Sequence, residues 1–167
     1  MKLSSTEGFG LDLDVTGYQY PELADPDDRN WLRVVGRVEH PRGGWRFDDP
    51  CLTTSELEQL AGWFDGVANR APDPDAGYFI EPNLDFSWTA EPQPTIHVTL
   101  AYESAPRWLT DREARMDGVT LHFPVSMNDP TALSAALRDM LRRFPIRGYE
   151  GGPPNRALQR TALARRR

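Results

Sequence analysis

The sequence has a single cysteine, Cys51, no apolar run near the ~18 residues that a membrane span requires, and no short motif of a catalytic centre. One thiol rules out an internal disulfide and a cysteine-rich metal site. With Pro50 and Leu52 on either side, Cys51 reads as a small apolar filler of the core. The opening stretch MKLSSTEG lacks the apolar segment of a secretion signal, so the chain is expected to stay in the cytoplasm without a membrane partner. A phosphate-gripping glycine loop, a G-x-S-x-G elbow and an H-E-x-x-H pair are all missing. Asp73-Pro74-Asp75-Ala76-Gly77 begins like a calcium loop, but it lacks the third oxygen ligand, the placed glycine and the distal glutamate, and is a turn.

Histidine is also scarce. His40 stands beside Pro41 at a turn, a surface position. His97 and His122 share the polar parity of two runs that could be neighbouring strands, so their rings could meet, but no ligand spacing argues for zinc. No catalytic residue, cofactor or metal is therefore assigned, and a non-enzymatic protein is expected. Five tryptophans, Trp31, Trp45, Trp63, Trp88 and Trp108, fall mostly at positions suited to packing; Trp108, in an irregular stretch after Pro106, is the best candidate for exposure.

The 167 residues are enough for one ordinary domain, with 39% apolar residues to fill its core and a mean hydropathy of -0.59 that implies a wet exterior. Charge is unevenly placed. Of 19 bases and 25 acids, 13 bases and 24 acids lie in residues 1–146, a net of -11 there against -6 for the whole chain. Such a body repels nucleic acid and favours basic partners. Residues 149–167 contain Gly151-Gly152-Pro153-Pro154, five arginines and only two leucines, and are expected to be a disordered basic tail on a single α+β domain of residues 1–148.

Within that domain, Leu11, Leu13 and Val15 alternate with polar residues, as do Trp31–Val38 and Trp45–Asp48, the latter two joined by turn residues Pro41 to Gly44. Thr53 and Glu56 have capping-box spacing ahead of a helical stripe of Leu57, Leu60, Ala61, Phe64 and Ala68. Tyr78–Ile80 with Leu84–Trp88 predicts a strand bent at Pro82; Ile96–Tyr102 and Val119–Val125 predict two more. Residues 104–117 are irregular and charged. A last helix begins at Pro130, capped by Asn128 or Asp129, and stops at Pro145. The result is an α+β fold: a largely antiparallel sheet of about six strands with two helices packed on one face. Its other face would carry Asp12, Asp14, Arg33, Arg37, Arg46, Asp48, Asp85, Ser87, Thr89, His97, Thr99, Thr120 and His122.

Several segments together carry a family likeness: Asn30-Trp31-Leu32, Gly44-Trp45-Arg46-Phe47, Asp49-Pro50-Cys51-Leu52-Thr53-Thr54 with Glu56-Leu57, Glu81-Pro82-Asn83-Leu84 and Arg143-Phe144-Pro145. Over residues 8–147 the chain resembles the WapI-like bacterial immunity proteins. The resemblance implies a small non-enzymatic protein that binds and neutralises a cognate secreted toxin domain, in the best-known case a nuclease acting on tRNA. An acidic body suits a basic toxin domain as protein partner. Candidate contacts are the loop and strand-end acids Asp25, Asp27, Asp28, Asp48 and Asp49. Two other readings stay open: a small-ligand or enzymatic domain using the polar sheet face around His97 and His122, and a scaffold domain.

Overall fold

A computed structural model describes residues 1–148 except 24, 26 and 27. The expected basic tail, beyond residue 148, and Asp27 lie outside the described residues. Among the described residues the fold is α+β with all strand pairing antiparallel, its seven strands forming two sheets. The first runs in chain order, β1 (Lys2–Ser4), β2 (Gly10–Tyr18), β3 (Trp31–Glu39) and β4 (Trp45–Thr53). The second also runs in chain order, β5 (Leu84–Thr89), β6 (Thr95–Leu100) and β7 (Val119–Pro124). Three helices complete it: α1 (Thr54–Ala68), α2 (Arg112–Asp117) and α3 (Pro130–Arg143).

The division into two sheets has a local cause at β4. A short 3-10 turn, Tyr102–Ser104, lies beside that strand, and the Trp45 indole N–H donates to the Ser104 carbonyl at 2.9 Å. β5 instead pairs with β6, in register from Leu84 opposite Leu100 to Thr89 opposite Thr95. The apolar alternation of both sheets faces the core, where Leu13, Leu32, Val34, Leu52, Phe86, Val98 and Leu121 are fully buried. Each such side chain contributes roughly 1.5–3 kcal/mol before the entropy of ordering is charged.

α1 starts as the capping-box spacing predicts. Glu56 N–H donates to Thr53 Oγ1 at 3.2 Å, and Thr53 N–H donates back to Glu56 Oε2 at 2.8 Å. Its buried stripe packs through Trp63 and Phe64 onto Phe86 of β5 in edge-on contacts, the Phe64–Phe86 centroids 6.0 Å apart. α3 packs on α1: Ser134 donates to the Ala61 carbonyl at 2.8 Å, and Arg138 pairs with Asp65. Asp129, rather than Asn128, caps α3 by accepting from Thr131 N–H at 2.9 Å, with Pro130 in the first turn. Asn128 ties this corner to β1, its amide accepting from Ser4 N–H and donating to Ser4 O, both at 2.9 Å.

Two sequence expectations change. Tyr78–Ile80 is a loop, because its backbone is held by α1 side chains: Gln59 donates to the Ala76 and Tyr78 carbonyls, and Ile80 N–H donates to Glu56. Residues 112–117, expected to be irregular, form α2, capped by Asp111 and burying none of its residues. Pro50 lies inside β4, where the ladder shifts register between Leu32 and Val34 and its missing N–H costs no pairing. That bulge lets the consecutive residues Cys51 and Leu52 both be buried. Burial pushes the Cys51 thiol far up, so it stays neutral, consistent with a core filler. No helix among the described residues is long and apolar enough to cross a membrane.

Candidate partner-binding surface

The polar residues of the first sheet largely neutralise one another. Arg33 grips Asp48 through two parallel 2.9 Å hydrogen bonds, Lys2 lies 3.4 Å from Asp12, and Arg143 of α3 reaches Asp14. Asp48, one of the acids singled out in the sequence, therefore has its charge satisfied inside the fold. A cleft between this face and α3, lined in part by Arg37 and Arg46, contains the Lys2–Asp12 and Arg143–Asp14 pairs.

Asp49 is different. Period two gives it the parity of buried Phe47, so it points away from Asp48 and towards the chain entering β5. There the buried Asn83 donates from one amide nitrogen to Asp49 Oδ2 at 2.6 Å and to Glu103 Oε2 at 3.2 Å. Burial raises the Asp49 carboxyl above the ordinary aspartate range, and the negative charges of Glu103, Glu81 and Asp48 raise it further. Among the described residues no ion pair includes Asp49, Glu81 or Glu103. Three carboxylates from separate parts of the chain thus share one locality with an amide, and no cation, between them.

The surrounding backbone holds this arrangement in place. Glu56, itself buried and raised above the usual glutamate range by that burial, accepts from Ile80 N–H at 2.6 Å and fixes the loop carrying Glu81. Asn83 accepts through its carbonyl from Ala101 N–H at 3.0 Å, setting the start of the turn that carries Glu103. Glu81 and Glu103 were not among the acids read from the sequence. They lie 32 and 54 residues from Asp49; the Asn83 bridge brings Glu103 to it, and Glu81 acts on it through its charge.

The remaining candidates lie elsewhere. Asp25 and Asp28 are exposed in the loop before β3, and the Asp25 carbonyl accepts from Arg29 N–H at 3.0 Å. The end of β3 nearest them pairs with Thr53, four residues, or about 13 Å of strand, beyond Asp49.

On the second sheet His97 and His122 are directly opposed across β6 and β7, and their rings do meet, with Nδ1 atoms 2.8 Å apart. His97 Nε2 is 3.0 Å from Thr89 Oγ1, and Thr99 bonds Thr120 alongside. Neither of two clefts in the fold is lined by these histidines. Trp108, expected to be exposed, is half-buried, edge-on to Trp45 at 5.0 Å and tilted against His40 at 5.3 Å. His40 accordingly sits in an aromatic cluster with Phe9, Trp45 and Trp108, and burial, then Arg42, lowers its pKa.

The fold and its carboxylate cluster define an α+β domain whose notable chemistry lies on its surface. The chain belongs to the immunity protein WapI-like family, which it matches over residues 2–145. Neither a curated protein nor a solved structure matches it.

Proposed function

We propose that this protein is the cytoplasmic antidote to a cognate secreted toxin domain, which it neutralises by binding rather than by chemistry. The supporting observation is the pairing of membership in an immunity protein family with the unneutralised Asp49, Glu81 and Glu103 cluster. Like charges held together without a counter-ion cost folding stability, and a partner's lysine or arginine placed among them removes that cost. A toxin with a basic surface, as a nuclease needs for RNA, is the partner such a cluster suits, with charge acting mainly on encounter rate and specificity.

The test is co-expression with the toxin encoded beside this gene, reading co-purification and rescue of growth. Reversing Asp49 and Glu103 to lysine should slow association at least tenfold at low salt and flatten its salt dependence. Unchanged association kinetics would remove this cluster from the interface; failure to bind or rescue against any neighbouring toxin would remove the function.

A further inference from the structure

We propose that His97 and His122 form a bidentate site for a divalent copper ion on the open face of the second sheet. The two residues are opposed in register on adjacent strands, so the sheet itself fixes their spacing. Their Nδ1 atoms stand 2.8 Å apart, with the rings turned 81° to one another. Two nitrogens bound cis to a square-planar metal at about 2.0 Å lie about 2.8 Å apart, whereas tetrahedral coordination spreads them to about 3.3 Å. The observed spacing fits the square-planar preference of Cu(II), which also binds nitrogen ligands most tightly among the divalent first-row metals.

Protonation fits the same role. At 2.8 Å the neutral pair holds one proton between its two Nδ1 atoms. In the tautomer where His97 Nε2–H donates to Thr89 Oγ1, His97 Nδ1 accepts the shared proton, which His122 Nδ1 carries. Copper takes the place of that hydrogen bond: the His122 proton moves from Nδ1 to Nε2, so the neutral pair binds without net proton release and both Nδ1 atoms become ligands. Among the described residues no group of three or more His, Cys, Asp or Glu side chains could hold a metal ion, so the other two equatorial positions fall to water or to a donor from a docked protein.

The experiment is calorimetric and EPR titration of the full chain with copper(II) chloride in the presence of glycine as a competing chelator. Expected are one bound ion, nitrogen hyperfine structure from two imidazoles, and at least tenfold weaker binding in both His97→Gln and His122→Gln, each with an unchanged circular dichroism spectrum. Zinc chloride in the same assay should bind more weakly. Copper affinity unchanged by either substitution, no binding against glycine, or a spectrum without imidazole nitrogens would overturn the site.

Discussion

Replacing Glu56 by alanine would leave two backbone N–H groups and one hydroxyl without their acceptor. Its carboxylate receives Thr53 N–H at 2.8 Å, Thr53 Oγ1–H at 2.9 Å and Ile80 N–H at 2.6 Å. Losing the reciprocal half of the helix cap costs about 1 kcal/mol. Orphaning Ile80 N–H, beside an exposed side chain that water can reach, adds about 1 kcal/mol at the lower end for such groups. Relief from holding a buried carboxylate offsets part of this, giving a net loss of about 1.5 kcal/mol. In a domain of this size that corresponds to a Tm lowered by roughly 3–6 °C, or a urea midpoint lowered by roughly 0.7 M with m unchanged. Glu56→Gln keeps one acceptor oxygen and should lose about half as much. The pH dependence has a definite sign. Because burial raises the Glu56 pKa, the native state binds this proton more tightly than the unfolded state. Wild-type stability from this group is therefore full below the ordinary glutamate value and is lost as pH rises through the higher native one. Glu56→Gln has no such slope, so its deficit should be largest in acid and shrink towards neutrality. A Glu56→Ala protein within 0.5 kcal/mol of wild type, or a Gln variant weaker than the Ala variant, would refute this account of the cap and loop.

Asp49→Asn keeps an oxygen for Asn83 to donate to and removes a charge facing Glu103, Glu81 and Asp48. It should raise stability at pH 7, by less than about 1 kcal/mol after solvent screening, while slowing toxin association. That gain should vanish below the ordinary aspartate pKa, where the wild-type carboxyl is protonated in both states; urea midpoints at pH 7 and in acid check the sign. Gly77→Ala would place a Cβ 1.7 Å from the Phe86 carbonyl oxygen, where backbone must move. Phe86 N–H donates to the Gly77 carbonyl at 3.1 Å, so the clash falls on a backbone tie between this loop and β5, and a loss of at least about 2 kcal/mol is expected in thermal melts.

The elements with strong periodicity and their own punctuation were readable in advance. β2, β3, β4, α1 and α3 each alternate or stripe clearly, and Thr53 and Pro130 mark the helix starts. β1 was not, because three residues with only Leu3 buried leave no period to detect. α2 was missed for a related reason: it buries nothing, and its Asp111 cap resembles any surface aspartate. Tyr78–Ile80 misled in the other direction, since exposed Tyr78 and Ile80 flanking Phe79 mimic a strand whose backbone partners are in fact side chains of α1. Division of the strands into two sheets depends on the Ser104 turn occupying the side of β4, a contact 59 residues distant from Trp45. Sequence reasoning reached Asp48 and Asp49 as acids but could not tell them apart. Arg33 silences the first, and the second lies among carboxylates that only folding brings near.

Asn128 has a consequence beyond joining two parts of the fold. β1 is the outermost strand of its sheet, and its free backbone is the kind of template on which a second chain could add a strand. The Asn128 side chain offers Ser4 one acceptor and one donor, the same pair that a peptide group in an added strand would present. A single amide thereby plugs the end of the ladder, and β1 can remain as short as three residues without becoming a seed for edge-to-edge assembly.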